Sequence, residues 1–125
     1  CDVVTLHAPL TTDNHRFVNR ILLERMKKSA ILINASRGGL IEENDLAEAL
    51  NSGQLAGAVV DVVSTEPIAP DNPLLSAANI GITPHLAWAT REARRRLMAS
   101  TAENIRVFMD GAPQNLVNAM HLARG

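Results

Sequence analysis

The chain has 125 residues, of which 46% are apolar and 20% charged, and a formal net charge of −1. Those values suit about one soluble globular domain with a real core, and they leave no electrostatic footprint for nucleic acid or an anionic membrane. No apolar run approaches the roughly 18 residues that a membrane helix needs, and the one cysteine, Cys1, excludes an internal disulfide and fits a reducing, cytoplasmic compartment.

The opening CDVVTL reads straight into a strand over Val3–Leu6, with no leader-like segment and no initiating Met. The N-terminus is therefore expected to be a cut inside a larger domain. HAPLTTDNHR, with Pro9 and several turn-forming polar residues, is a loop. In NRILLERMKK, the positions Ile21, Leu22, Arg25 and Met26 have helical spacing. AILINAS is an unbroken apolar strand, of the kind buried on both faces of a parallel sheet. EENDLAEALNSG is a helix: its acidic first turn suits the helix dipole, Leu46, Ala49 and Leu50 share a face, and Gly53 ends it. LAGAVVDVV is a third strand, PDNPLLSAAN a loop with one helical turn, and IGIT a fourth strand. Residues 90–110 form the longest helix, with Thr90 as N-cap and Leu97, Thr101, Ile105 and Phe108 on one stripe. Gly111 and Pro113 end it, and NLVN is a short extended tail.

The order β-α-β-α-β-β-α implies an α/β fold with a parallel sheet covered on both faces. Ligands of such sheets bind beyond the carboxyl ends of the strands. Here the first strand runs into His7-Ala8-Pro9, the second into Ala35-Ser36-Arg37-Gly38-Gly39, the third into Asp61 and then Glu66, and the fourth into His85. All four exits carry polar or special-backbone residues, and they are expected to converge on one edge.

His85 is either a hydrogen-bonded structural histidine or an acid/base. A carboxylate beside an imidazole favours the imidazolium, and Glu66 is placed to supply one; its alternative is a solvated loop carboxylate. Arg37 offers a planar fork that fits a carboxylate, or else a surface salt bridge, and the glycines after it permit positive φ and a close backbone approach to a ligand. Together Arg37, Glu66 and His85 make a site for carbonyl reduction. Asp61 closes a very apolar strand and needs donors, from a ligand amide or from nearby backbone N–H groups. Trp88 lines a pocket or covers the core. REARRR reads as a solvated helix face, since Glu92 lies four residues before Arg96. His15 and His121 are given no role. No Cys/His grouping has metal-ligand spacing, so no metal is expected, and no G-x-G-x-x-G loop is present.

On the segments CDVVTLHAPLT, LINASRGGLIEENDLAEAL, SGQLAGAVVDVVSTEP and ITPHLAWAT, which span nearly the whole chain in order, the sequence resembles the C-terminal part of the D-isomer-specific 2-hydroxyacid dehydrogenases. HLAWAT, with DNPLL upstream and GAPQNLVN downstream, is most similar to the glycerate dehydrogenase (hydroxypyruvate reductase) branch. The resemblance implies a partial Rossmann-like, doubly wound sheet: residues 1–111 as the C-terminal half of the NAD-binding domain, and 112–125 as a tail that docks on a substrate lobe. It implies NAD or NADP as cofactor, a small 2-keto/2-hydroxy acid such as hydroxypyruvate or D-glycerate as substrate, and a homodimer. Carried over by motif, Arg37 binds the substrate carboxylate and polarises the keto group, His85 is the acid/base, and Glu66 tunes it. Asp61 contacts the nicotinamide carboxamide, and Ala8, Pro9, Ala35, Ser36, Arg37, His85, Ala87 and Trp88 line the cofactor cleft.

The family's Gly-rich loop and ribose-reading acid lie upstream of CDVV, outside this sequence, so the chain alone is expected to be inactive. Two other readings stand beside the enzyme: a dinucleotide-sensing interaction protein of the same fold, and a self-associating domain that dimerises through an unpaired strand edge or exchanged helices.

Overall fold

The computed structural model describes residues 1–117. The chain falls into two compact units, Cys1–Ala87 and Trp88–Gly125. In the first, β1 (Val3–Leu6), β2 (Ile31–Asn34), β3 (Gly57–Val60) and β4 (Ile80–Ile82) form one four-stranded parallel sheet in the order β1-β2-β3-β4. The register aligns Val4, Leu32, Ala58 and Ile80 in one row and Leu6, Asn34, Val60 and Ile82 in the next. The crossovers carry α1 (Arg20–Leu23) and α2 (Glu43–Asn51), while short 3-10 turns occupy Gly38–Leu40 and Pro73–Ser76. The parallel α/β architecture read from the alternating strands and helices is present.

The sheet is not covered on both faces, as the apolar run of β2 had suggested. Leu6, Leu32, Ala58 and Val60 are buried with Leu23, Leu46 and Leu50 of the helices, whereas Val3, Ile31 and Val59 on the opposite face are 52%, 40% and 43% exposed. The reason is topological. Right-handed crossovers that all advance in one direction place their helices on one side of a sheet, and the three crossovers here advance from β1 to β4.

α1 is also shorter than its spacing had suggested. Asn19 caps it through Leu22 N–H at 3.4 Å, and the chain then tightens into i→i−3 bonds from Arg25 to Leu22 and from Met26 to Leu23. α2 ends at Ser52, and Gly53 takes φ 71°, as the glycine had indicated. Its first turn does more than suit the dipole: Asp45 accepts the backbone N–H of Arg20 at 2.8 Å, and Arg20 pairs with Glu48.

In the second unit, α3 (Arg91–Met109) begins at Thr90, whose hydroxyl accepts Ala93 N–H at 3.2 Å. Arg106 bridges Glu103 and Asp110, and Gly111 turns the chain at φ 75°. The stripe of Leu97, Ile105 and Phe108 is exposed. Residues 115–117 of the expected extended tail form no strand. Residues 118–125, including His121 and most of the 112–125 tail, lie outside the described residues. No described helix is long and apolar enough to cross a membrane.

Candidate functional site at the carboxyl ends of the strands

Parallel strands deliver their C-terminal exits to the same edge, and four loops meet there. The loop after β1 is tied to the loop after β2: Arg16 N–H donates to Gly39 C=O at 2.8 Å, Val18 N–H to Leu40 C=O at 3.0 Å, and Glu42 N–H to Val18 C=O at 2.9 Å. Leu10 thereby packs beside Gly39 and lines a groove of about 250 Å³ together with Arg37, Glu66 and His85. Residues 37, 66 and 85, distant in the polymer, thus share one concavity.

Within it, His85 Nδ1 lies 2.7 Å from Glu66 Oε2. Both side chains are about half exposed. Val63 N–H donates to the other Glu66 oxygen at 3.3 Å. The His85 hydrogen bond, helped by Val63, holds the Glu66 carboxyl below its ordinary value despite partial desolvation. The groove therefore contains a carboxylate that stays ionised and an imidazole whose Nδ1 faces it.

His85 sits at φ 55°, a left-handed conformation that costs a non-glycine residue about 1–3 kcal/mol and persists only where its surroundings hold it. Asp61 supplies that hold. It is 6% exposed, and its carboxylate accepts Thr83 Oγ1 at 2.5 Å, Leu86 N–H at 2.8 Å and Ala87 N–H at 2.8 Å. Its backbone carbonyl accepts His85 N–H at 2.9 Å. Burial raises the Asp61 pKa, but the Thr83 hydroxyl, the two N–H donors and the nearby His85 outweigh it, and the net shift is downward. Of the two readings left open for Asp61, the backbone N–H donors are the partners present.

Gly38 and Gly39 take a different backbone conformation from the one expected of them. Neither has positive φ, and the tight approach at Gly38 is to protein: a Cβ there would lie 2.0 Å from the Val63 carbonyl group and 2.5 Å from Ser64 N. Gly38 thus lets the Arg37 loop close against the loop that carries Glu66. A second tie comes from α2, where Glu43 accepts Ser64 N–H at 2.6 Å, Ser64 Oγ at 2.8 Å and Asn72 Nδ2 at 2.9 Å.

Of the other expected positions, Ala35, Asp61 and Ala87 line a neighbouring, almost wholly apolar groove of about 310 Å³ with Ile33, Thr83 and Leu86. Ser36 is engaged by Asn34 at 2.9 Å. Ala8 packs against the core, and Pro9 C=O accepts Asn14 Nδ2 at 2.7 Å; it is Leu10, just after them, that reaches the groove of Arg37. Trp88 opens the second unit and is 55% exposed. Asn34, Thr83 and Glu43 were not read from the sequence. The available signal was a polar residue ending or following an apolar strand, or opening a helix, directly beside a candidate side chain. Among the described residues, no cluster of three or more His, Cys, Asp or Glu could hold a metal ion.

Residues 1–87 match the D-isomer specific 2-hydroxyacid dehydrogenase, NAD binding domain. The chain belongs to this family. Over 117 residues it is 51% identical to a hydroxypyruvate reductase of Blautia hydrogenotrophica, covering 94% of this chain and 36% of the relative. Over 120 residues it is 46% identical to a glycerate dehydrogenase of Methylorubrum extorquens, covering 94% and 38%. Among solved structures it is similar to an acyclic imino acid reductase in complex with NADPH and D-Arg, with TM-score 0.84, 34% identity, and coverage of 93% of this chain and 37% of that one. The chain thus spans a little over a third of the length of these relatives. Membership makes the first unit part of an NAD-binding domain, and the residues fit such a group. The groove of Ala35, Thr83 and Ala87 is apolar enough for a flat ring and has the ionised Asp61 in its wall.

Proposed function

We propose that the polypeptide carrying this 2-hydroxyacid dehydrogenase domain is an NAD(P)-dependent oxidoreductase that interconverts small 2-keto and D-2-hydroxy acids, with hydroxypyruvate and D-glycerate as the pair. The observation that carries this reading is the 2.7 Å contact of His85 Nδ1 with Glu66 in a groove that Arg37 also lines. The names of the two relatives given above support the choice of substrate.

In this reading Arg37 pairs its fork with the substrate carboxylate and polarises the adjacent keto group. His85 delivers a proton from Nε2 to the keto oxygen, or removes it from the hydroxyl in the reverse direction. Glu66 holds Nδ1–H, fixing the tautomer, and offsets the charge of the imidazolium. Nicotinamide, when bound, exchanges a hydride with the substrate carbon. Ala35, Ser36, Asp61 and Ala87, with Ala8 and Pro9, would line the cleft that holds it. The domain division goes with this reading: 1–111 as cofactor-binding portion and 112–125 as a tail toward a substrate lobe. So does a homodimer, supported by the exposed apolar residues of the sheet face and of α3.

The test is consumption of NADH and of NADPH by the full polypeptide that carries this sequence, with hydroxypyruvate, glyoxylate and pyruvate in parallel. Turnover with hydroxypyruvate is expected. Tight dinucleotide binding with no turnover on any 2-keto acid would overturn the enzyme reading in favour of a dinucleotide sensor. The 125-residue chain assayed alone is expected to turn over negligibly, since its sequence holds no Gly-rich pyrophosphate loop.

A further inference from the structure

Asn34 ends β2 with 0% exposure, between Leu6 and Val60 in the register. A buried amide flanked by aliphatic side chains costs stability unless its polar atoms find partners. All the partners of this one lie in a single three-residue turn. Oδ1 accepts Ser36 N–H at 3.1 Å and Ser36 Oγ at 2.9 Å, and Nδ2 donates to Arg37 C=O at 2.9 Å. The Asn34 carbonyl accepts Asp61 N–H at 2.8 Å, which ties the same turn to the next strand exit. The turn it shapes ends at Arg37, whose Nη1 donates to Ser36 C=O at 2.7 Å. Gly38, clamped on the Val63–Ser64 backbone, fixes the other side.

We infer that Asn34 is a positioning residue for Arg37, its buried amide setting the Ala35–Arg37 turn so that the guanidinium meets the substrate carboxylate. The inference rests on the role given to Arg37 above.

The experiment is a double-mutant cycle on the full polypeptide, reading kcat and KM for hydroxypyruvate and, separately, KM for NADH. Asn34→Ala is expected to raise KM for the keto acid about tenfold, with kcat falling as well because Arg37 also polarises the keto group, while KM for NADH changes by less than about threefold. Arg37→Ala should raise it further. In the Arg37→Ala background, Asn34→Ala should add less than about a twofold effect, because the residue it positions is gone. Ser36→Ala removes one bond from the network and leaves the buried amide in place. It should give a smaller rise in KM that also vanishes with Arg37→Ala, and it keeps the test decisive if Asn34→Ala does not fold. Penalties that multiply in full across the cycle would overturn the positioning role while leaving that of Arg37 intact. An unchanged KM in Arg37→Ala alone would overturn the function assigned to Arg37, and with it this inference.

Discussion

Replacing Asp61 by alanine probes the element that holds His85 in the proposed site. The carboxylate accepts three hydrogen bonds, two of them from the backbone of Leu86 and Ala87, immediately after His85. Each buried N–H left without an acceptor costs about 1–3 kcal/mol. Leu86 and Ala87 are themselves exposed, so water can replace the lost acceptor at both and the variant should lose roughly 1–2 kcal/mol of unfolding free energy. Asp61→Asn keeps one acceptor oxygen and turns an amide NH₂ toward a backbone donor, so it should lie between wild type and alanine. The left-handed His85 would also lose the part of its restraint that comes from the carboxylate, and a displacement of about 1 Å at the reacting group is enough to lower turnover on the order of 10²-fold. Urea unfolding at constant m-value gives the first quantity, and NADH consumption with hydroxypyruvate gives the second. Acid adds a sign. The folded Asp61 pKa lies below its ordinary value of 3.8, so its stabilising contribution is complete above the unfolded pKa and drains away as pH falls through the folded one. Wild type should therefore lose stability on acidification below about pH 4, and Asp61→Asn should lack that component. An alanine variant within about 0.5 kcal/mol of wild type, with turnover intact, would refute the reasoning.

Gly38→Ala forces a Cβ onto the Val63 carbonyl group at 2.0 Å. It should destabilise by at least about 1–3 kcal/mol and weaken turnover through Glu66, whereas Gly39→Ala meets only the tip of Leu10 at 2.8 Å and should be milder in the same melts. Glu66 is held below 4.5 by His85, so the pair should persist on acidification until the pH falls beneath that value and then dissolve, as histidine ring NMR would follow. Thr90→Ala removes the N-cap of α3 and should cost about 0.5–2 kcal/mol, read as a lower thermal midpoint.

The strands were legible because short aliphatic runs bounded by Gly, Pro and polar residues have few other uses, α2 because its acidic first turn, apolar face and stop glycine act locally, and α3 because its Thr90 cap and stop glycine do. The convergence of Arg37, Glu66 and His85 was legible for a different reason: a parallel sheet sends every strand exit to one edge, so sequence order alone brings them together. Burial was misread on β2, since an aliphatic run does not say which crossovers cover it. Nothing local to SRGG reveals that the Val63 backbone lies against Gly38 or that neither glycine takes positive φ. Asn34 and Thr83 escaped for a similar reason. Each looks like ordinary turn punctuation until its partner, two to twenty-two residues away, is in place. The positive φ of His85 has no signature beyond the mild preference of histidine for that region.

The most direct measurement is single-turnover oxidation of bound NADH by hydroxypyruvate in the full polypeptide, comparing wild type with His85→Gln. If His85 is the acid/base, hydride transfer should fall on the order of 10²–10⁴-fold, while NADH affinity moves by less than about threefold. Transfer in His85→Gln within about fivefold of wild type would mean that the proton comes from elsewhere and that the shared groove of residues 37, 66 and 85 is not where the reaction occurs.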